Sequence, residues 1–338
     1  MAHTITSQAG RDFTYGCKFV VMKILVVGAG AIGGYFGGRL LEQNRDVTFL
    51  VRPGRAAQLS ASGLVIRSRM GDVSFASPPT VLAEHLHDTF DVVLLSCKAY
   101  DLENAMLSFK PAVGNKTAIL PMLNGMRHLD LLDQNFGKER VLGGQCFIAV
   151  TVNEQHEIVH LNEAHDLSFG ERSGSTTERV QAIAGEFTGT RCNARLSTEI
   201  VLEMWEKWVF ITTAASATCL MRASVGDIMA APDGKEFVTG LLNECRSVAE
   251  TSGQVLRDSS VNRALATLTA PGSPLTASML RDVERNAAIE ADHIVGDMLQ
   301  RGAENKLTKE KMPNLTVAFT HLKTYEARRQ REMKLRKS

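Results

Sequence analysis

Residues 22–34 read MKILVVGAGAIGG, and this stretch decides the fold. A strand is expected over 23–27, and after Lys23 it is uninterrupted leucine and β-branched residues, the pattern of a strand buried on both faces. Gly28-Ala29-Gly30-Ala31-Ile32-Gly33 follows it and opens a helix expected over 31–42. Each glycine has a task there. Gly28 permits a tight turn, Gly30 lets the backbone approach a pyrophosphate, and Gly33 lets the helix pack close on the strand. The phosphates would sit at the helix N-terminus. Strand, loop and helix in that order make a dinucleotide-binding reading far stronger than the glycine spacing alone.

Working outward, residues 1–21 lack the basic start, apolar core and small-residue cleavage site of a secretory signal. They read as an N-terminal extension, disordered or loosely docked, before a natural beginning at Met22. Beyond the glycine loop, strands are expected at 47–51, 91–96 and 117–120, with a small hairpin of 64–67 and 72–75 around Met70-Gly71. Strands alternating with helices imply right-handed crossovers and a mostly parallel sheet. Residues 141–150, 157–160 and 166–169 keep the strand pattern without intervening helices, which predicts an antiparallel extension. Past Cys192 the pattern turns helical: 198–220, 236–252, 261–267, 278–301 and 314–331. The expected architecture is α/β, a Rossmann-type dinucleotide-binding domain over 22–192 followed by an all-α domain over 193–331. A basic, solvated tail at 332–338 closes the chain.

Composition agrees with that architecture and excludes others. The chain has 338 residues, 44% hydrophobic, enough for two domains with a core each. Its 38 basic and 37 acidic residues leave a charge of +1, so no global field recruits nucleic acid. No apolar run reaches the roughly 18 residues of a membrane span. The 6 cysteines are scattered, with no metal-ligand spacing, which points to a reducing cytoplasm and no metal.

Which dinucleotide is read from the tip of the second strand. An NAD binder places an acid there for the ribose hydroxyl. Here the tip holds Val51-Arg52, with Arg55 nearby and no acid, so NADP is favoured, its 2′-phosphate taken by a guanidinium. Lys98 and Asn124 end two further strand runs at the same rim, where ligands bind in such sheets. On the helix 198–220, Lys207 falls on the apolar stripe with Ile200, Met204, Ile211 and Ala214. Glu290 falls likewise among Met279, Val283, Ala287 and Ile294 on 278–301. Unpaired charges in a core are costly, so these two groups are expected to meet each other, a ligand or a wet cleft.

The segments KILVVGAGAIGG, SCKAY, LNGM, EMWEKWVF and SMLRDVERNAAIEAD together resemble the ketopantoate reductase (ApbA/PanE) family, from Met22 to about Arg331. The resemblance implies an N-terminal Rossmann domain, an all-helical domain and NADPH in the cleft between them. It implies cofactor roles for Gly28–Gly33 (Gly28, Ala29, Gly30, Ala31, Ile32, Gly33), Arg52, Lys98, Asn124, Ala149 and Glu290. Lys207 matches the catalytic lysine, Glu290 an acid that supports it, and Ser278 a substrate-binding serine; Lys98 and Asn124 also face substrate. The reaction implied is reduction of ketopantoate, or a related small 2-oxo acid, on the route to pantothenate. One departure stands out. The family commonly carries asparagines four and eight residues after the lysine, where this chain has Ile211 and Ala215. Losing two amides that pair with substrate oxygens costs about 1–3 kcal/mol each, so the pocket is expected to be more apolar than ketopantoate requires.

Two other readings compete. A β-hydroxyacid dehydrogenase-like oxidoreductase also joins a Rossmann domain to helices and uses a lysine, but the acid-free strand tip and the Lys207–Glu290 spacing favour the reductase. A non-catalytic NADP-binding redox sensor has no need of both Lys207 and Glu290. The expected partners are a small 2-oxo acid and a second copy in a homodimer, with neither nucleic acid nor membrane.

Overall fold

The computed structural model describes residues 21–336, so the expected extension lies outside it but for Val21. The glycine-loop strand is β1 (Ile24–Val27), buried along its length, and it leads into α1 (Ala31–Leu41). Four of the eleven residues of α1 are glycine, a composition that costs helix stability by about 0.5–1 kcal/mol each. Close packing on the sheet offsets that cost. Gly28 takes φ +94°, and a Cβ at Gly33 would collide with the Gly28 carbonyl and the Ser96 hydroxyl. Both glycines are therefore set by geometry.

The chain continues through β2 (Val47–Leu50) into α2 (Pro53–Ser62), a helix absent from the expected elements. Pro53 sits in its first turn, where a missing N–H costs nothing. The expected hairpin forms as β3 (Leu64–Arg67) and β4 (Val73–Phe75), antiparallel. Then follow β5 (Thr80–Val81), β6 (Phe90–Leu95), α3 (Leu102–Phe109), β7 (Val113–Pro121) and α4 (Arg127–Phe136). The parallel sheet runs β5-β2-β1-β6-β7, with Ile24 opposite both Val47 and Val92.

A second sheet replaces the expected simple extension. Strands β8 (Gly143–Val152) and β9 (Ile158–Gly170) pair antiparallel as anticipated, with a register shift at Ala149. The two short segments expected at 157–160 and 166–169 are one 13-residue strand. After α5 (Glu178–Glu186), β10 (Asn193–Leu196) adds parallel to β9 at Asp166–Phe169, and β3 pairs with β9 at Ile158 and Val159, also parallel. The sheet-bearing half thus reaches Leu196, beyond the boundary expected at 192.

The second half is helical: α6 (Ile200–Met221), α7 (Val225–Ala230), α8 (Gly234–Thr251), α9 (Asp258–Leu268), α10 (Ser278–Glu284), α11 (Asp297–Glu304) and α12 (Pro313–Leu335). The single helix expected over 278–301 is broken, and the expected tail at 332–338 is helical as far as Leu335. Asn286 at φ +53° ends α10, and residues 285–290 are non-helical. Carbonyls freed by the break are taken by α12: Tyr325 Oη donates to Ala287 O at 2.7 Å and Arg329 Nε to Asn286 O at 2.8 Å. A π turn, Asp292–Gly296, then rejoins α11.

Two apolar cores form, but they do not divide at the domain boundary. One lies between the α1 face of the parallel sheet and the second sheet, around Tyr35, Phe36, Phe49 and Phe169. The other starts on the opposite face, at Leu95, Phe109 and Leu132, and runs on into the helices through Trp208, Leu241 and Val295. Burial across that junction fixes one half against the other.

Candidate active site

The glycine loop opens at the carboxyl ends of β1, β2 and β6 into a cleft of about 640 Å³, which Gly28, Ala29, Gly30, Ala31 and Ile32 line together with Arg52, Lys98, Asn124 and Glu290. Gly33 stands behind it as a packing residue. Ser96 Oγ donates to Val27 O at 2.9 Å and so ties β6 to the base of the loop. Ala149 does not line this cleft; its N–H donates to Asn162 Oδ1 at 3.1 Å on the second sheet.

The strand tip differs from its sequence reading. Arg52 is largely exposed and pairs with Asp101 at 2.9 Å, an acid delivered by the turn after β6. A carboxylate is therefore present in space where the local sequence shows none. Arg55, on α2, is the better-placed cation: Nε donates to Ala29 O at 3.0 Å, Nη1 to Gln58 Oε1 at 2.5 Å, and Nη2 is buried with no partner among the described residues. Recognising α2 in the sequence would have brought Arg55 forward.

Asn124 and Glu290 also line a second chamber, about 170 Å³, with Ile211, Ala215 and Ser278. Its other walls include Phe210, Ala214, Leu275, Met279 and Ile294, and Asp282 brings a further acid that the sequence reading passed over. The helix break makes this junction. Freed from helical geometry, Glu290 Oε1 accepts from Ala99 N at 2.9 Å and its Oε2 lies 3.3 Å from Lys98 Nζ. Lys98 lies also 3.4 Å from Asp282. Burial alone would lower the Lys98 pKa, but the charges of Glu290 and Asp282 outweigh it and hold the pKa above its ordinary value.

Lys207 is buried, as the apolar stripe predicts, and of the expected outcomes it meets a cleft rather than Glu290, which pairs with Lys98. Its ammonium donates to Cys146 O on β8 at 2.7 Å and lies 5.2 Å from the Phe147 ring centre. Burial pushes its pKa down, opposed by the Cys146 thiol and the Glu290 charge. Lys207 faces a third chamber of about 610 Å³, separated from the Ser278 chamber by Phe210, which lines both. Asn124, Ser278 and Glu290 thus come together, with Lys207 one helical turn away on the neighbouring face of α6.

Two buried histidines stand nearby. His128 on α4 stacks on His293 of the π turn at 5.6 Å, and neither His128 nitrogen has a partner among the described residues. Burial holds the pKa of His128 well below the ordinary histidine value.

Residues 24–174 match the family described as Ketopantoate reductase PanE/ApbA, and residues 199–326 match its C-terminal domain. An oxidoreductase of Bacillus subtilis, named YkpB and uncharacterised, is 38% identical over 306 residues, covering 90% of this chain and 99% of its own. The crystal structure of a 2-dehydropantoate 2-reductase from Geobacter metallireducens superposes with a TM-score of 0.81 at 27% identity, over 90% of this chain and 99% of its own. A D-mandelate dehydrogenase, solved with NADH and anilino(oxo)acetate, shares the fold at a TM-score of 0.80 and 19% identity, over 91% of this chain and all of its own (100%). Glycine loop, helix-borne lysine and the matched span of both halves lead to one conclusion: the chain belongs to the ketopantoate reductase PanE/ApbA family.

Proposed function

We propose that this protein reduces a small 2-oxo acid to the 2-hydroxy acid with NADPH in the cytoplasm, acting as a homodimer. The observation that carries the reading is the junction at Asn124 and Glu290, where the glycine-loop cleft opens onto the Ser278 chamber within one turn of a buried lysine. The cleft suits a dinucleotide: nothing stands within 4 Å of the position a Gly30 Cβ would take, and Arg55 Nη2 is buried without a partner. Gly28–Ile32 would hold the pyrophosphate, with Arg55 and Arg52 at the adenosine end. When bound, the dinucleotide supplies the hydride.

The chain's own groups do the rest. Lys207, its pKa lowered by burial, would donate the proton to the nascent alkoxide once its side chain turns from Cys146 O toward the Ser278 chamber. Glu290 holds Lys98 at the rim and its charge favours the protonated form of Lys207. Ser278 and Asn124 supply hydrogen bonds to the acid head. Ile211, Ala215 and Leu275 give the side-chain pocket an apolar wall, so a plain branched or longer apolar 2-oxo acid suits it at least as well as ketopantoate.

A panel of 2-oxo acids with NADPH and NADH, read by nicotinamide absorbance, tests this reading. Turnover of a branched apolar 2-oxo acid with a kcat/KM comparable to that of ketopantoate is expected. A preference for ketopantoate of about a hundredfold or more would restore the pantoate-forming reaction as the activity.

A further inference from the structure

The chamber that Lys207 faces has a use that the reduction itself does not require. Its walls are periodic faces of three elements: Gln145 and Phe147 on β8, Glu203, Glu206 and Lys207 on α6, and Arg263 with its neighbours on α9. Residues two apart on a strand and three or four apart on a helix share a face, so the sequence is arranged to point these groups inward together.

The acids of the chamber are already engaged. Glu203 accepts two bonds from Arg195, at 3.0 and 2.8 Å, and Glu206 accepts three from Arg257, at 3.0, 2.9 and 2.5 Å. Lys207 and Arg263 remain without a carboxylate partner. Lys207 uses one of its three N–H groups on Cys146 O, and Arg263 has no side-chain hydrogen bond or ion pair among the described residues. The lining therefore carries two cations with no carboxylate bonded to them among the described residues, the Glu290 charge acting on Lys207 only from outside the chamber. An anion suits it.

Gln145 narrows the choice. Its side chain is buried, and its Nε2 lies 3.4 Å from Glu203 Oε2. A carboxylate can only accept, so this contact fixes which end of the amide is nitrogen. The other end, Oε1, is buried with no partner among the described residues. An oxygen so placed needs a donor. A 2-oxo acid offers only acceptors at its head, whereas a hydroxy acid adds an O–H. The rings of Phe147 and Phe210 leave room for a short apolar body beside these polar groups.

We propose that this chamber is a binding site for a small hydroxycarboxylate, with Arg263 and Lys207 taking the carboxylate and Gln145 Oε1 accepting from the hydroxyl. The site needs no turnover; only its match to the reaction product rests on the reductase reading.

Calorimetric titration of the full-length chain, without dinucleotide, tests it with 2-hydroxyisovalerate, 2-oxoisovalerate and isovalerate as probes. The hydroxy acid is expected to bind about tenfold or more tightly than either of the others, because only it satisfies Gln145. Arg263→Ala, at an exposed position, should weaken that binding about tenfold, and Arg263→Lys should restore most of it. Gln145→Leu should bring the hydroxy and oxo acids to within about threefold of each other. Equal affinities for the three probes, or a hydroxy acid indifferent to Arg263→Ala, would overturn the site. Binding with this signature in a protein that reduces no 2-oxo acid would sink the proposed reaction and leave the site standing; reduction without such binding would do the reverse.

Discussion

Lys207 is a cation held in a buried place by one carbonyl, and its consequences can be worked out from that. Burial favours the neutral amine, so the protonated form is lost as pH rises through a value below the ordinary lysine pKa of about 10.4. If Lys207 is the proton donor, the alkaline limb of kcat for reduction should fall below that pH. Lys207→Ala should then lower kcat by about 10²–10⁴-fold while NADPH affinity, measured by fluorescence titration, stays close to wild type. A variant that keeps more than about a tenth of the rate would remove the lysine from the proton transfer. The arginines make a second residue-scale case. Arg52 is engaged by Asp101, whereas Arg55 has a buried nitrogen free within the cleft. Arg55→Ala is therefore expected to weaken NADPH more than NADH, by about tenfold, and more than Arg52→Ala does. Equal losses for the two cofactors would assign Arg55 to the loop alone. The reason the sequence points to Arg52 is physical. A strand tip is a local feature, while Asp101 arrives from a turn about fifty residues on and can be seen only once β2 and β6 lie either side of β1.

At the scale of elements, α6 presents two working faces from one helix. Glu203, Glu206 and Lys207 face the cationic chamber; Ile211, Ala214 and Ala215 face the chamber of Ser278. Helical periodicity alone places Lys207 and Ile211 on one stripe, whereas in the structure they line different chambers with Phe210 between them. The double change Ile211→Asn with Ala215→Asn puts two amides into the apolar wall. It should raise the ratio of kcat/KM for ketopantoate over a plain branched 2-oxo acid by about tenfold or more, read in side-by-side kinetics. An unchanged ratio would mean that Thr212, Thr213 or water already serves the substrate hydroxyl. The strands were legible because continuous apolar runs admit few alternatives. Two helical features were not. Pro53-Gly54 looks like a stop, yet it begins α2, since proline is tolerated in a first turn. The apolar spacing of 278–301 persists through a break, because residues 287–290 still pack although their backbone is no longer helical. Glu290 was thus found for a sound reason, its place among apolar neighbours, and it does meet a cleft, but not Lys207 directly. Its contacts with Ala99 N and Lys98 depend on backbone that the spacing does not reveal.

For the whole molecule the question is what holds the two halves together, and at what pH. The second core runs across the junction, and one ion pair spans it: Arg301 of the helical half pairs with Asp130 of the sheet-bearing half. Across the junction His128, from the sheet-bearing half, stacks on His293, from the helical half, and both are buried. Burial is the largest influence on both, lowering each pKa; around His128 the charge of His293 adds to it, then those of Lys207, Arg172 and Arg301, while around His293 the Glu290 charge and the Asn124 backbone oppose burial more than Arg127 and Arg301 reinforce it. The unfolded chain takes up these protons near the ordinary histidine pKa of about 6.5, whereas the folded chain resists them to lower pH. Below about pH 6.5 the unfolded state therefore binds more protons, and stability falls with pH by up to about 1.4 kcal/mol per unit for each histidine still neutral in the fold. Urea midpoints at pH 7.5 and 5.5 measure that slope. Carboxylates contribute to it as well, so the informative quantity is the difference made by His128→Phe, which keeps a ring against His293 and removes one titrating group. The variant should lose less stability between the two pH values than the wild type, by about 1 kcal/mol. Parallel losses in the two proteins would show that His128 takes its proton in the folded state as readily as in the unfolded one, and the acid sensitivity of the junction would then belong to the ion pairs of Arg301.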